Sequence, residues 1–116
     1  MSGWDYAAQR ADTESSVEEI SAEGGVAPGT PVRLDLQFVA GEGADRAGFL
    51  AAMKAAGYSG AAYRDAEGTT ETIEAHVPGV RFDADAIWAE EERATRIAIA
   101  HGYLPDGWGF EDPAGG

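Results

Sequence analysis

A short stretch of strict alternation, VRLDLQF at residues 32–38, restricts what this chain can fold into more than any other feature. Every second residue is large and apolar: Val32, Leu34, Leu36 and Phe38. Because successive side chains of a β-strand point to opposite faces, the pattern predicts a strand with one face in a core and the other in solvent. The polar face would carry Arg33, Asp35 and Gln37.

Turn, helix and strand signals follow this strand in a regular order. AGEGAD predicts a turn with Asp45 as the helix N-cap, and RAGFLAAMKAAG predicts a helix that Gly57 ends. The runs YSGAAYRD and TETIEAHV predict a hairpin around the turn AEGT, closed by Pro78 and Gly79. Asp83 begins a second helix, DADAIWAEEERATRIAIAHG, and YLPDGWGFED predicts a last strand. The order β-α-β-β-α-β predicts an α+β fold, the ferredoxin-like plait: a four-stranded antiparallel sheet with both helices on one face.

The first 31 residues differ from the rest in having few large apolar side chains. TESSVEEISA at residues 13–22 predicts an additional helix, with Val17 and Ile20 on its inner side, and APGTP predicts a connector. We therefore expect residues 1–31 to form an N-terminal helix and connector, and residues 32–116 to form the plait. A chain of 116 residues is expected to make one compact unit.

The charge balance limits the class of partner. The chain has 21 acidic and 8 basic residues, a formal net charge of −13, and no cluster of Lys or Arg. Phosphate backbones repel such a protein, so direct nucleic-acid binding is not expected, whereas basic protein segments would be attracted. The absence of cysteine, of a signal-peptide pattern and of a long apolar run leads us to expect a cytoplasmic protein that does not enter a membrane.

The sequence predicts no catalytic, cofactor-binding or metal-binding residues. GEGADRAG lacks the glycine spacing of a nucleotide-binding loop, and His76 and His101 stand in no metal-ligand spacing. His101 is expected at a helix C-terminus. In the acidic run at residues 90–92, Glu91 shares a helical face with apolar residues, so we expect it to pair with a polar neighbour or with the edge of the core.

The closing stretch YLPDGWGFEDP has two interpretations. Its aromatic residues could be core side chains at the edge of the sheet, with glycines that permit a bulge. Alternatively, Trp108 could anchor a contact surface with an acidic border. The second interpretation predicts a partner-binding site made of Asp106, Gly107, Trp108, Gly109, Glu111 and Asp112.

This stretch, together with the helix before it, resembles the regulator of ribonuclease activity B (RraB) family, whose members end with a long helix, a YDGWG motif and an EDP-like segment. QRADTESSVEEISAEGG resembles the family's N-terminal helix, and LDLQF…FLAAMKAAGY resembles its first strand and helix. The resemblance covers roughly residues 9–113, and its specific part is DGWG; Pro105 stands where the motif has tyrosine. The resemblance implies a ferredoxin-like domain that inhibits ribonuclease E by binding its C-terminal region.

The sequence therefore predicts a non-enzymatic, acidic protein-interaction domain that regulates a ribonuclease E-type enzyme through the basic segments of that enzyme. The alternative is a small ligand-binding or enzymatic plait that uses the open sheet face around Asp35, Glu74 and His76. A pocket that converges on His76 would favour this alternative, and a flat acidic surface would favour the interaction domain.

Overall fold

Residues 4–24, 26–64 and 71–111, which the computed structural model describes, form four β-strands and three α-helices. The strands are β1 Pro31–Ala40, β2 Ser59–Arg64, β3 Glu71–Arg81 and β4 Tyr103–Glu111. The helices are α1 Tyr6–Ala22, α2 Arg46–Ala55 and α3 Ala84–Ala100. All neighbouring strands are antiparallel, in the order β2-β3-β1-β4. The predicted α+β class, antiparallel four-stranded sheet and additional N-terminal helix are confirmed.

The alternation in β1 builds the core. Its inner side chains, Val32, Leu34, Leu36 and Phe38, are each at most 1% exposed. Phe49 of α2 meets Phe38 edge-on at 5.4 Å and stacks on Tyr103 of β4 at 4.7 Å. Each such buried apolar side chain contributes about 1.5–3 kcal/mol relative to exposure, so helices α2 and α3 are held on this face of the sheet. The opposite face carries the polar side chains of β1.

Aspartates begin all three helices. The carboxylates of Asp45 and Asp83 accept hydrogen bonds from the backbone N–H groups of Gly48 and Ala86, as predicted for N-caps. Asp5 caps α1 in the same way, through Ala8 N–H at 3.0 Å. Helix α1 therefore begins at Tyr6, and the predicted start at residue 13 is wrong because the capping residue, Asp5, lies eight residues earlier. No helix in the described part of the chain is both long and apolar enough to cross a bilayer.

Strand β3 continues past the point where the prediction ended it. Pro78 and Gly79 do not close the strand, because Val80 pairs with Val32 while Val77 pairs with Leu34. Pro78 and Gly79 of β3 therefore both lie opposite a single residue of β1, Arg33. This bulge accommodates Pro78, which has no backbone N–H to donate. The predicted turn at residues 66–69 lies outside the described residues.

Gly102 joins α3 to β4. Its φ of +83° is unfavourable for other residues, and a Cβ at this position would approach the Ala44 Cα to 2.8 Å. His101 lies at the helix C-terminus as predicted, with its Nδ1 atom 3.8 Å from Asp45 Oδ2. The connection between α3 and β4 thus lies against the loop between β1 and α2, where the Asp45 N–H group donates to the His101 carbonyl at 2.8 Å.

Candidate functional site

Strand β4 contains a bulge at Asp106, the first residue of the DGWG segment. Phe38 of β1 pairs with Pro105 and Gln37 pairs with Gly107, so Asp106 is the additional residue. Gly107 has a φ of +121°, which a residue with a side chain rarely adopts. The predicted glycine bulge is therefore confirmed. Beyond it, Trp108 and Phe110 pair with Leu36 and Leu34 and lie toward the helix-covered face.

A groove of about 880 Å³ runs between α1 and β4. Its apolar lining includes Trp4, Ile20, Pro105, Trp108 and Phe110. Trp108 and Phe110 are both half-buried and pack against the core, and Phe110 contacts Phe82 at 4.9 Å between ring centroids. Trp108 is thus neither a fully buried core residue nor an exposed one, but part of a groove wall.

The residues of the predicted partner-binding site differ in their position relative to this groove. Gly107, Trp108 and Gly109 line it. Asp106 and Glu111 are exposed, and the Glu111 carboxylate lies 3.7 Å from Arg33 Nη2. Asp112 lies outside the described residues. The described part of the predicted site is therefore a half-buried tryptophan with acidic side chains nearby.

Glu91 of α3 lies at the bottom of the groove and is only 6% exposed. Its Oε1 atom accepts a hydrogen bond from Thr13 Oγ1, and its Oε2 atom accepts one from Gln9 Nε2 at 3.2 Å. Gln9 also donates to Thr95 Oγ1 at 3.0 Å and accepts from Trp4 Nε1 at 2.8 Å. The expectation of a polar neighbour for Glu91 is confirmed, and its two hydrogen-bond partners attach α1 to α3.

The electrostatics of the groove are acidic. Burial raises the pKa of the Glu91 carboxyl; the hydrogen bonds from Thr13 and Gln9 offset part of this effect, and the charge of Asp12 adds to it. Asp5 and Asp12 line the groove, and among its lining residues in the described chain none is basic. The groove therefore combines indole rings with negative charge, a composition suited to cationic ligands.

The open face of the sheet holds a second polar cluster. Asp35 Oδ1 lies 2.7 Å from His76 Nδ1, and Arg33 donates to both oxygens of Asp35 at 2.9 and 3.1 Å. Glu74 Oε1 lies 3.6 Å from His76 Nε2, and Glu74 Oε2 accepts a hydrogen bond from Gln37 at 3.2 Å. Although partial burial alone would raise the pKa of Asp35, the hydrogen bonds from Arg33 and His76 lower it.

This cluster brings together the three residues of the alternative interpretation, but on a sheet surface. Asp35, Glu74 and His76 line neither the groove nor the smaller concavity between Pro31 and Gly79. Within residues 4–24, 26–64 and 71–111, no group of three or more His, Asp or Glu side chains is arranged to hold a metal ion. Neither of these two concavities is therefore the pocket at His76 that would favour the alternative.

Comparison with known proteins assigns a family. The model of the family described as regulator of ribonuclease activity B, RraB, matches residues 10–110. The chain belongs to the RraB family. The resemblance carried by the DGWG segment and the helix before it is confirmed, and the match extends from α1 to Phe110 in β4. Among curated proteins, no sequence matches the chain.

The RraB match includes most of the groove but not all of it. Thr13, Glu91 and Trp108 lie within the matched segment, whereas Trp4, Asp5 and Gln9 precede it. Sequence reasoning missed the part that α1 plays in this site. A signal was available, because Gln9, Thr13 and Val17 recur every four residues and therefore share one helical face.

Proposed function

We propose that this RraB-family protein is a non-enzymatic interaction domain that regulates RNA degradation by binding a ribonuclease of the ribonuclease E type. The observation that carries the proposal is the family match over residues 10–110, since this family is described as regulators of ribonuclease activity. The match includes every strand of the sheet and most of α1, so the regulatory role applies to this fold as a whole.

The charge of the protein supports a basic protein partner. A net charge of −13 attracts basic polypeptide segments and accelerates their encounter with the protein, while it repels RNA itself. Ribonuclease regions that bind RNA must carry such basic segments. An acidic protein can occupy them and so reduce the access of RNA to the enzyme.

We place the contact surface at Asp106, Gly107, Trp108, Gly109, Glu111 and Asp112. The half-buried position of Trp108 in a groove supports this placement, because tryptophans that anchor interfaces lie in recesses from which water is excluded on binding. The exposed acids Asp106 and Glu111 would form the rim of the interface, where charge influences the rate of association more than affinity.

We further propose that the fold is a ferredoxin-like plait with an additional helix. From one edge, the strand order is β4-β1-β3-β2, with antiparallel neighbours throughout. Helix α2 connects β1 to β2, and α3 connects β3 to β4. Two such interleaved β-α-β units support the assignment.

A binding and cleavage experiment tests the proposed function. The C-terminal region of ribonuclease E from the same organism, purified without RNA, should bind the protein in a calorimetric titration at about 0.15 M salt. Cleavage of a structured RNA by full-length ribonuclease E should slow when the protein is added. The isolated catalytic half of the enzyme is the control and should be unaffected. No binding and no inhibition would refute the proposal.

The open sheet face remains a second candidate because it contains a His76–Asp35 pair at 2.7 Å with Glu74 beside it. A histidine paired with a carboxylate can serve as a general base or as a ligand-binding group. Asp35→Asn with His76→Ala should leave ribonuclease binding unchanged if the groove is the site. Loss of binding in this double variant, with the fold retained, would move the site to the open face.

A further inference from the structure

Within the described residues, Glu91 is a buried carboxyl group without a basic partner at hydrogen-bonding distance. Its two hydrogen-bond donors are a hydroxyl group and a neutral amide, and no basic side chain lines the groove within the described residues. Burying a carboxylate without an ion pair is costly, and an amide in the same place could bond to Thr13 and Gln9 without that cost. The arrangement leaves an acidic group at the bottom of a groove that is open to solvent on its other side.

Strand β4 borders the same groove and is an edge strand. In the sheet formed by the described residues it pairs with β1 on one side, and the sheet ends on the other. Backbone N–H and C=O groups along such an edge can pair with an extended peptide from another molecule. Gly107 and Gly109, which line the groove, have no side chain that would hinder this approach.

We propose that the groove receives an extended basic segment of a partner protein, which adds to β4 as a fifth strand and directs one Arg or Lys side chain toward Glu91. The inference rests on the proposed function and specifies the segment of the partner that would be bound. Side chains alternate along a strand, so every second residue of the segment would enter the space between α1 and β4.

The chemistry of the walls favours a cation over other occupants. The indole rings of Trp4 and Trp108 line the groove and can pack against a guanidinium or ammonium group. Asp5 and Asp12 add negative charge near the entrance, which disfavours an acidic peptide or a phosphate. An apolar side chain would leave the charge of Glu91 more deeply buried and still without a basic partner, so it fits less well than a cation.

Synthetic peptides test this inference directly. The probe is a fluorescein-labelled peptide of about nine residues in which arginine and valine alternate, a typical strand length. The first comparison is the same peptide with citrulline, a neutral isostere, in place of arginine. We expect the arginine peptide to bind at least about tenfold more tightly, since pairing with a buried carboxylate is worth more than that factor in other interfaces.

Protein variants locate the bound peptide. Glu91→Gln should weaken the arginine peptide about tenfold and leave the citrulline peptide unchanged. Glu18→Gln removes the same charge from an exposed position of α1 outside the groove lining and should have little effect. In NMR spectra the arginine peptide should shift the amide signals of residues 107–110. An analogue N-methylated at every backbone nitrogen should not bind, because it has no N–H group to donate to the edge of β4.

The outcomes separate this inference from the proposed function. Equal binding of both peptides, equal binding to Glu91→Gln, or signal shifts confined to the open sheet face would overturn the inference. If the ribonuclease region binds the protein and the arginine peptide does not compete, the groove assignment is wrong and the proposed function stands. If the peptide binds as expected and the ribonuclease region does not bind, the proposed function is wrong and the groove receives a different basic partner.

Discussion

At position 91 the chain has a carboxylate where an amide of nearly the same shape could make similar hydrogen bonds. Glu91→Gln should therefore keep the contacts with Gln9 and Thr13 and remove a buried charge, so the variant should be at least as stable as the wild type at pH 7. Glu91→Ala should instead lose about 1–3 kcal/mol, because it removes the acceptor for both groups. Urea denaturation of the three proteins measures both differences.

The same residue predicts a pH dependence with a definite sign. Burial, opposed by Thr13 and Gln9 and assisted by Asp12, raises the pKa of Glu91 in the folded protein. The folded state therefore holds this proton more tightly than the unfolded state, whose pKa is about 4.3. The resulting stabilisation is complete below that value and is lost as pH rises through the folded pKa.

The free energy of unfolding of the wild type should accordingly fall relative to Glu91→Gln between about pH 4 and neutral pH. Denaturation curves of both proteins across this range provide the measurement. Subtracting the free energy of unfolding of Glu91→Gln from that of the wild type at each pH cancels the contribution of the other acidic residues. A difference that does not change with pH would show that burial of Glu91 does not affect its titration.

Trp108 can be compared with a second tryptophan in the same protein. Trp108 is half-buried in the groove, whereas Trp88 of α3 is 7% exposed. We expect Trp108→Ala to weaken binding of the ribonuclease region by about 2 kcal/mol or more. It should cost less folding stability than Trp88→Ala, for which truncation of a buried aromatic predicts about 3–5 kcal/mol. Thermal unfolding and calorimetric titration of both variants distinguish an interface residue from a core residue.

At the scale of elements, α1 is the helix that depends most on polar contacts. Its buried side chains are Thr13 and Val17, and its tie to α3 passes through the Gln9–Glu91–Thr13 hydrogen bonds. Helix α3 instead buries Ile87, Ala94 and Ala98 in the core. Helix α1 should therefore open more readily than the rest of the protein.

Removal of each N-cap tests this difference between the helices. Asp5→Ala and Asp83→Ala each delete a carboxylate that caps a helix, a loss of about 0.5–2 kcal/mol. We expect Asp5→Ala to accelerate amide hydrogen exchange in α1 while exchange in the sheet stays slow. Asp83→Ala should lower the stability of the whole fold. Uniformly faster exchange in Asp5→Ala would show that α1 and the sheet unfold together.

The elements differ in how far the sequence predicts them, for physical reasons. The alternation in β1 and the capped, amphipathic pattern of α3 are local signals, and both elements are found where they were predicted. The continuation of β3 beyond Pro78 depends on a bulge opposite Arg33, which local propensity does not encode. The groove could not be predicted, because it forms only when α1 packs on α3 and so faces β4, an element distant from α1 in the sequence.

At the scale of the whole molecule, the arginines whose side chains the structure describes lie close to acids. Each of them forms an ion pair with a carboxylate: Arg10, Arg33, Arg46, Arg81, Arg93 and Arg96. Each exposed pair adds little stability, but together the pairs prevent these cations from forming a positive patch. The excess of acidic side chains therefore determines the field around the protein.

We expect this field to prevent direct binding of RNA. A fluorescence anisotropy titration with a single-stranded RNA at about 0.15 M salt should show no affinity in the micromolar range, because few cations are available to displace counterions from phosphate. A basic RNA-binding peptide in the same buffer serves as the positive control. Micromolar affinity for RNA would contradict the assignment of a protein partner.

The field should also control how the protein meets its partner, which gives a kinetic prediction. Association with the basic ribonuclease region should be fast at low salt and should slow steeply as salt increases, since the Debye length falls from about 30 Å at 0.01 M to about 8 Å at 0.15 M.

Asp106→Lys and Asp112→Lys, each at the expected rim, should mainly lower the association rate and weaken its salt dependence. Trp108→Ala should instead accelerate dissociation, because it removes a contact that forms only in the bound complex. Stopped-flow association and dissociation rates at several salt concentrations measure both effects. If the lysine variants change dissociation alone, or if association does not depend on salt, the acidic surface does not guide binding and the partner is not recognised through its positive charge.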